Sequence, residues 1–204
     1  SILSRVEVKK NIISESALEQ DITALEYTFA SPFILKKAEY ANFAKPFFPM
    51  GKPVFQGTLE LIQALQKTFK YDVKATTINT PLEQVLVEKK GVCQDFSHLC
   101  IAALRSLGIP SRYVSGYIET QPPPGQTKLR GSDATHAWIS VYCPDMGWHD
   151  FDPTNGKMIT GEYIITAIGR DYSDVSPLKG IIFGGGKHKL IVEVDVFREA
   201  ITEN

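Results

Sequence analysis

Residues 91–110 read GVCQDFSHLCIAALRSLGIP. Within this stretch Phe96, Leu99, Cys100, Ala103, Leu104 and Leu107 step by three and four, and Gly108 and Pro110 stop the pattern. The spacing predicts a core helix. Cys93 lies three residues before Phe96, so it falls in or just before the first turn, in line with the buried stripe. A cysteine at a helix N-terminus faces unpaired backbone N–H groups and the positive end of the helix dipole, which favour its thiolate, the reactive form. Position alone serves a small buried hydrophobe equally well. The surrounding sequence has to decide between the two.

Working outward, Leu61, Ile62, Leu65 and Phe69 predict an amphipathic helix over about 57–70. Thr80-Pro81-Leu82-Glu83 reads as an N-cap, a proline at the first helical position and a capping-box glutamate, giving a short helix over about 81–90 that ends at Lys89-Lys90-Gly91. β-rich runs follow at about 111–119, 134–143 and 148–152, with a last alternating strand from His188 to Phe197. Leu25, Tyr27 and Phe29 alternate with polar residues up to Ser31-Pro32 and read as a strand remnant. Helices first and strands afterwards make an α+β fold. The Pro- and Gly-rich segment 120–133 (TQPPPGQTKLRGSD) is a long loop between the second and third β units, a candidate substrate-binding element.

The 204 residues are 43% hydrophobic and 22% charged, ordinary for a globular domain, so a disordered chain is excluded. Twenty-two Lys and Arg against 23 Asp and Glu leave a net charge of -1, with no global field toward nucleic acid or anionic lipid. No window approaches the ~18 apolar residues of a membrane span. Ser1 to Lys10 lacks the apolar segment of a secretory signal, and three cysteines form an odd, sparse set, so a cytoplasmic protein with at least one free thiol is expected. Cys93, His98 and Cys100 are close in sequence, but their helical phases diverge, and paired Cys-x-x-Cys ligands are absent. No metal or other cofactor is expected. Gly184-Gly185-Gly186-Lys187 lacks the remaining residues of a phosphate loop and reads as a turn.

A nucleophilic thiol needs a base, and the base needs an acceptor on its second ring nitrogen. His98 lies about 140° around the helix from Cys93, a packing or surface position. His188 sits beside a glycine turn. His136 and His149 remain, both in the hairpin 134–152. A pairing centred near residue 144 sets His136 opposite Asp152, Trp138 opposite Asp150 and Ser140 opposite Trp148. His136, Trp138, Asp150 and Asp152 then share one face, while His149 points to the other. Asp152 orients His136 in this register, with Asp150 as the rival two residues away. A solvated histidine and two surface aspartates are the bland alternative. Cys, His and Asp in this order on a helix N-terminus and two adjacent strands form the thiol version of a catalytic triad.

Four blocks carry a family resemblance: GVCQDFSHL (91–99), GIPSRYVSGY (108–117), THAWISVY (135–142) and GWHDFDPTN (147–155). They resemble, in order and spacing, the motifs of the bacterial transglutaminase-like superfamily. GRDYSDVSP (169–177) is similar to the downstream segment of its cysteine-protease branch. The resemblance spans roughly residues 28–198. It implies a papain-like cysteine proteinase fold with Cys93 as nucleophile, His136 as general base and acid, and Asp152 as orienting acceptor, in preference to Asp150. Members of the branch usually carry a β-rich N-terminal domain. Here residues 1–30 are expected to be a remnant of it, and residues 31–204 the catalytic core.

The expected chemistry is attack of the thiolate on an amide or ester carbonyl of a peptide or protein, with the Cys93 backbone N–H in the oxyanion hole. Tyr71 and Gln94 are candidates for the side-chain donor. Trp138 is positioned to shield the site or to fill the core, and Asp95 and Arg112 could pair. Hydrolysis is favoured because nothing in the sequence marks an amine-acceptor site and water needs none. Transamidation of protein glutamine and a non-catalytic binding module on the same fold are the alternatives.

Overall fold

A computed structural model of the chain describes residues 22–119, 134–144, 146–176, 194 and 196. Among the described residues, helices α1 (Ala38–Ala44), α2 (Val54–Thr68), α3 (Leu82–Glu88), α4 (Cys93–Ser106) and α5 (Tyr172–Val175) follow a helical segment at 22–25 and accompany seven strands. Strands β1 (Lys70–Tyr71) and β2 (Lys90–Gly91) form a small parallel pair. Strands β3 (Ser111–Ile118), β4 (Ala134–Cys143), β5 (Gly147–Asp152), β6 (Lys157–Met158) and β7 (Tyr163–Gly169) make an antiparallel sheet in the order β6-β5-β4-β3-β7. The architecture is α+β, with helices α1 to α4 before the sheet. The last expected strand, His188 and the glycine turn before it lie outside the described residues, as does the loop 120–133.

Helix α4 is the hub. Every residue from Asp95 to Arg105 is buried, so the predicted stripe understates it: the helix is enclosed on all sides. Leu99, Cys100, Ala103 and Leu104 meet Leu61, Ile62 and Leu65 of α2 and Ile139, Val141 and Phe151 of the sheet in one core. Burial on the polar side requires partners. Arg105, fully buried, donates to the carbonyls of Ser111, Phe29 and Arg170 and to the Ser31 hydroxyl. One guanidinium thus ties the chain before α1, the start of β3 and the end of β7 to α4. Its surroundings are neutral acceptors, and burial lowers its pKa to about 10, partly offset by the nearby Asp171 carboxylate.

Three local expectations change. Leu25, Tyr27 and Phe29 do not form a strand: residues 22–25 are helical and close in a 3-10 turn at Glu26–Thr28. Arg112 and Arg105 explain why, since Tyr27 and the Phe29 carbonyl are held from the side by these guanidinia rather than by a neighbouring strand. Helix α3 starts from Pro81, not from a Thr80 capping box. The Thr80 hydroxyl accepts from the Thr77 backbone N–H, and Glu83 instead engages Lys37. Finally, the β4–β5 hairpin is centred on residue 145, so that Ser140 pairs with Asp150 and Tyr142 with Trp148. The shift preserves side-chain parity. His136 and Asp152 therefore still share a face but meet diagonally, not directly opposite.

Strand β3 brings its Gly116 beside His136, next to a β-bulge between Ser115 and Gly116 in the β3–β7 ladder. A Cβ at Gly116 would sit 2.1 Å from the Ile164 carbonyl oxygen and 2.5 Å from Cη2 of Trp138. Neither atom can retreat, one being backbone and the other a fully buried ring. Gly116→Ala is expected to lower stability by at least ~1–3 kcal/mol, the usual range for overpacking, visible as a drop in the thermal midpoint. An unchanged midpoint would contradict this close packing around His136.

Candidate active site

Three elements deliver the site. Val92 is the N-cap of α4, and Cys93 is its first helical residue. The start of this helix is fixed by Asp95, whose Oδ2 accepts from the Val92 N–H at 2.8 Å and from the Thr76 hydroxyl at 2.6 Å. The reach back is possible because residue 91 is glycine: a Cβ there would lie 2.7 Å from Asp95 Oδ2. Asp95 is therefore not paired with Arg112. The Arg112 guanidinium lies instead over the Trp148 ring, 4.0 Å from its centroid, and near Asp150.

His136 lies near the start of β4 and Asp152 at the end of β5. The His136 Nε2 and Asp152 Oδ2 are 2.7 Å apart, and the Cys93 side chain acts on the same imidazole, raising its pKa. With Nε2 committed to the carboxylate, Nδ1 is the ring nitrogen left to serve the thiol. Cys93, His136 and Asp152 thus form one connected line. Burial by itself would lower the His136 pKa, but hydrogen bonds to Asp152 and Cys93 and their charges outweigh it and raise it to about 9. The imidazole is consequently protonated at neutral pH. Because this value is raised above the ordinary 6.5, the stabilisation it brings is fully present below 6.5 and is lost as pH rises through about 9.

Asp152 is fully buried and receives five hydrogen bonds. Oδ1 accepts from the backbone N–H groups of Thr154 and Asn155, at 2.8 and 3.2 Å. Oδ2 accepts from His136, from Asn155 Nδ2 at 2.6 Å and from the Tyr163 hydroxyl at 2.7 Å. Burial raises the Asp152 pKa, but the bonds and the imidazolium more than reverse this and hold it below the usual carboxylate range. Tyr163 and Asn155 were not singled out from the sequence. Asn155 closes the GWHDFDPTN block, and the β-forming run Tyr163-Ile164-Ile165-Thr166 was the available signal for the strand that carries Tyr163.

The other candidates fall into place around this line. Trp138 is fully buried with its ring 6.1 Å from that of His136 and 5.4 Å from that of Tyr163, and so walls the imidazole while also filling the core. Asp150 accepts from Trp138 Nε1 at 3.3 Å and is not the partner of His136. Tyr71 pairs with Gly91, two residues before Cys93; burial and then the charge of Cys93 raise its pKa, so its hydroxyl stands within electrostatic reach of the thiol. Gln94 instead lines a cavity flanked by Phe33 and His98. His98 is buried, and His149 packs against Phe55 on the opposite sheet face. Among the described residues, no three His, Cys, Asp or Glu side chains converge as a metal centre would need.

Cys100 is fully buried and Cys143 is 2% exposed, and burial pushes both thiols up, Cys143 to about 11. Cys93 is the partly accessible thiol, beside an imidazolium. Iodoacetamide should therefore modify Cys93 at least tenfold faster than the other two in the folded protein. Mass mapping that showed equal rates would contradict this arrangement.

Comparison with known proteins bears on the family and the fold. The model of the transglutaminase-like superfamily matches residues 42–153, more than half of the chain. An uncharacterized protein of Mycobacterium tuberculosis is 43% identical over 160 residues, covering 76% of this chain and 51% of its own length. The chain thus spans about half the length of the curated relatives it matches most extensively. A protein-glutamine gamma-glutamyltransferase of Pseudomonas aeruginosa is 31% identical over 103 residues, 46% of this chain and 15% of that protein. Among solved structures, a Cytophaga hutchinsonii protein provisionally described as a cysteine protease superposes with a TM-score of 0.62 at 27% identity, over 76% of this chain and 49% of its own. The periplasmic domain of TgpA from Pseudomonas aeruginosa shares the fold, with a TM-score of 0.51 at 21% identity over 67% of this chain and 50% of that one. A match of this extent, on a papain-like arrangement of helix and antiparallel sheet, means that the chain belongs to the transglutaminase-like superfamily.

Proposed function

We propose that the protein is a thiol-dependent acyl-transfer enzyme that hydrolyses a peptide or amide bond of a peptide or protein substrate. The observation that carries this reading is the line from the Cys93 thiol through the His136 imidazolium to a buried Asp152 held by five donors. In this reading the Cys93 thiolate attacks the carbonyl carbon, forming a C–S bond and an oxyanion. In this reading the Cys93 backbone N–H and the Tyr71 hydroxyl donate to that oxyanion. Collapse breaks the C–N bond as His136 Nδ1 gives its proton to the leaving amine, and a thioester remains on Cys93. His136, now neutral, takes a proton from water. The resulting hydroxide attacks the thioester, the acid product leaves, and the thiolate and imidazolium are restored.

Hydrolysis rather than transfer to an amine is supported by the Cytophaga hutchinsonii structure provisionally described as a cysteine protease, which superposes over 76% of this chain, and by water needing no acceptor site. Intact mass after brief acid quench of a peptide digest should show an acyl adduct on the wild-type protein and none on Cys93→Ala. With a primary amine present, the released product should still carry water. Amine-containing product would make transamidation the reaction, and a bare Cys93 with every amide tried would leave the protein a binding module.

Asparagine at position 152 cannot satisfy the donors around it. Its NH2 would face either three donors at the Oδ2 position or two backbone N–H groups at the Oδ1 position. Asp152→Asn is expected to lower kcat/KM on the order of 10³–10⁴-fold. Asp150→Asn, which loses one bond from Trp138, should cost less than tenfold. Equal losses would overturn the assignment of Asp152. Activity should also decline as pH rises through about 9, where His136 loses the proton it gives to the leaving group.

A further inference from the structure

His98 sits on α4 five residues past Cys93 and does not reach the thiol. It is 3% exposed. Its Nε2 accepts from the Tyr172 backbone N–H at 3.1 Å. A ring nitrogen that accepts carries no proton, so the neutral imidazole carries its proton on Nδ1. Burial favours this neutral form and lowers the pKa to about 4. Among the described residues nothing accepts from Nδ1–H, and this nitrogen is not sealed from solvent, so it is open to an acceptor that enters from outside. The ring is clamped, stacked on Phe33 at 5.6 Å and against Tyr113 at 5.0 Å. It cannot turn to find an acceptor without losing the bond to Tyr172.

His98 lines a cavity of about 270 Å³ together with Phe33, Leu35, Ile78, Leu82 and Gln94. The ring edge left for that space is the one bearing the proton. Leu35 and Ile78 stand at the cavity half exposed, apolar side chains without full cover. Gln94 directly follows Cys93, and neighbouring Cα atoms are ~3.8 Å apart, so the cavity wall begins one residue from the thiol. The charged groups on the wall are the carboxylates of Glu83 and Asp95, and the Lys37 ammonium nearby is already engaged by Glu83. An acidic guest is therefore repelled. A cationic guest finds no free carboxylate, because Glu83 is paired with Lys37 and Asp95 Oδ2 already accepts from the Val92 N–H and the Thr76 hydroxyl.

We propose that this cavity is a specificity pocket that takes an uncharged apolar residue of the substrate, of about leucine to phenylalanine size, with an amide carbonyl of that residue accepting from His98 Nδ1–H. The proposal rests on Cys93 being the acylated thiol and adds the side chain that selects the substrate. A guest of this kind engages the Nδ1–H donor of His98 and covers Leu35 and Ile78 in the same step. Removing the donor's partner, or placing a charge at the mouth, cancels both gains.

The test uses the full chain as Cys93→Ala, with isotopically labelled histidine and resonances assigned by single substitutions. Titration with N-acetyl-leucinamide should shift the His98 signal saturably, whereas N-acetyl-aspartamide and N-acetyl-lysinamide should leave it in place. Ile78→Lys, at a half-exposed position, should remove the shift. In the Cys93-containing protein the same substitution should raise KM at least tenfold for a leucine-bearing peptide, with kcat within about twofold. A shift with no acylation of Cys93 by any peptide would uphold the pocket and sink the proposed reaction. Acylation with no shift, or equal shifts with all three amides, would overturn the pocket alone.

Discussion

A carboxylate removed entirely from water is the constraint around which the site is organised. Asp152 is tolerated in the interior because five donors reach it, drawn from three parts of the fold. The turn after β5 supplies two backbone N–H groups and the Asn155 amide. Strand β7, which reaches the site across β3, supplies the Tyr163 hydroxyl. Strand β4 supplies the imidazole. A charge so held can neither rotate nor acquire a proton easily, and its bond to Nε2 leaves Nδ1 of the His136 ring for Cys93. The elevated His136 pKa is a consequence of that fixed charge together with the thiol.

The second requirement is that the thiol arrive at the same point, and this falls to α4. Its N-terminus is set by Asp95 folding back over Gly91, and its far end by Arg105, whose buried guanidinium gathers four acceptors from three separate segments. Helix and sheet are thereby pinned at both ends of a helix that is enclosed by core. The two polar clusters lie about a helix length apart. Between them the apolar contacts of Leu99, Cys100, Ala103 and Leu104 set the distance from α4 to the sheet.

Local periodicity carried the helix that bears Cys93 and the parity of the hairpin that bears His136 and Asp152. Both are short-range properties, a 3.6-residue stripe and a two-residue alternation, and both survive small errors in placement. The pairing of Ser140 with Asp150 was missed by one position in the hairpin centre without harm to the site, because a two-residue slip returns every side chain to the same face. What the sequence could not express were contacts that depend on tertiary neighbours. Tyr163 reaches Asp152 from another strand, Arg105 recruits carbonyls up to 76 residues away, and Leu25 to Phe29 follow those carbonyl contacts into a helical turn despite their alternation. By charge alone Asp95 could equally pair with Arg112, but the helix start makes the stronger claim on it.

The account depends most on a protonated His136 held between Asp152 and Cys93, and a histidine-resolved NMR titration of the whole chain addresses it directly. The His136 ring should titrate near 9, with Nε2 protonated throughout, and its midpoint should fall by more than one unit in Asp152→Asn. A His136 that titrates near 6.5 in the wild-type protein, unchanged by that substitution, would contradict the ion-paired site at its foundation.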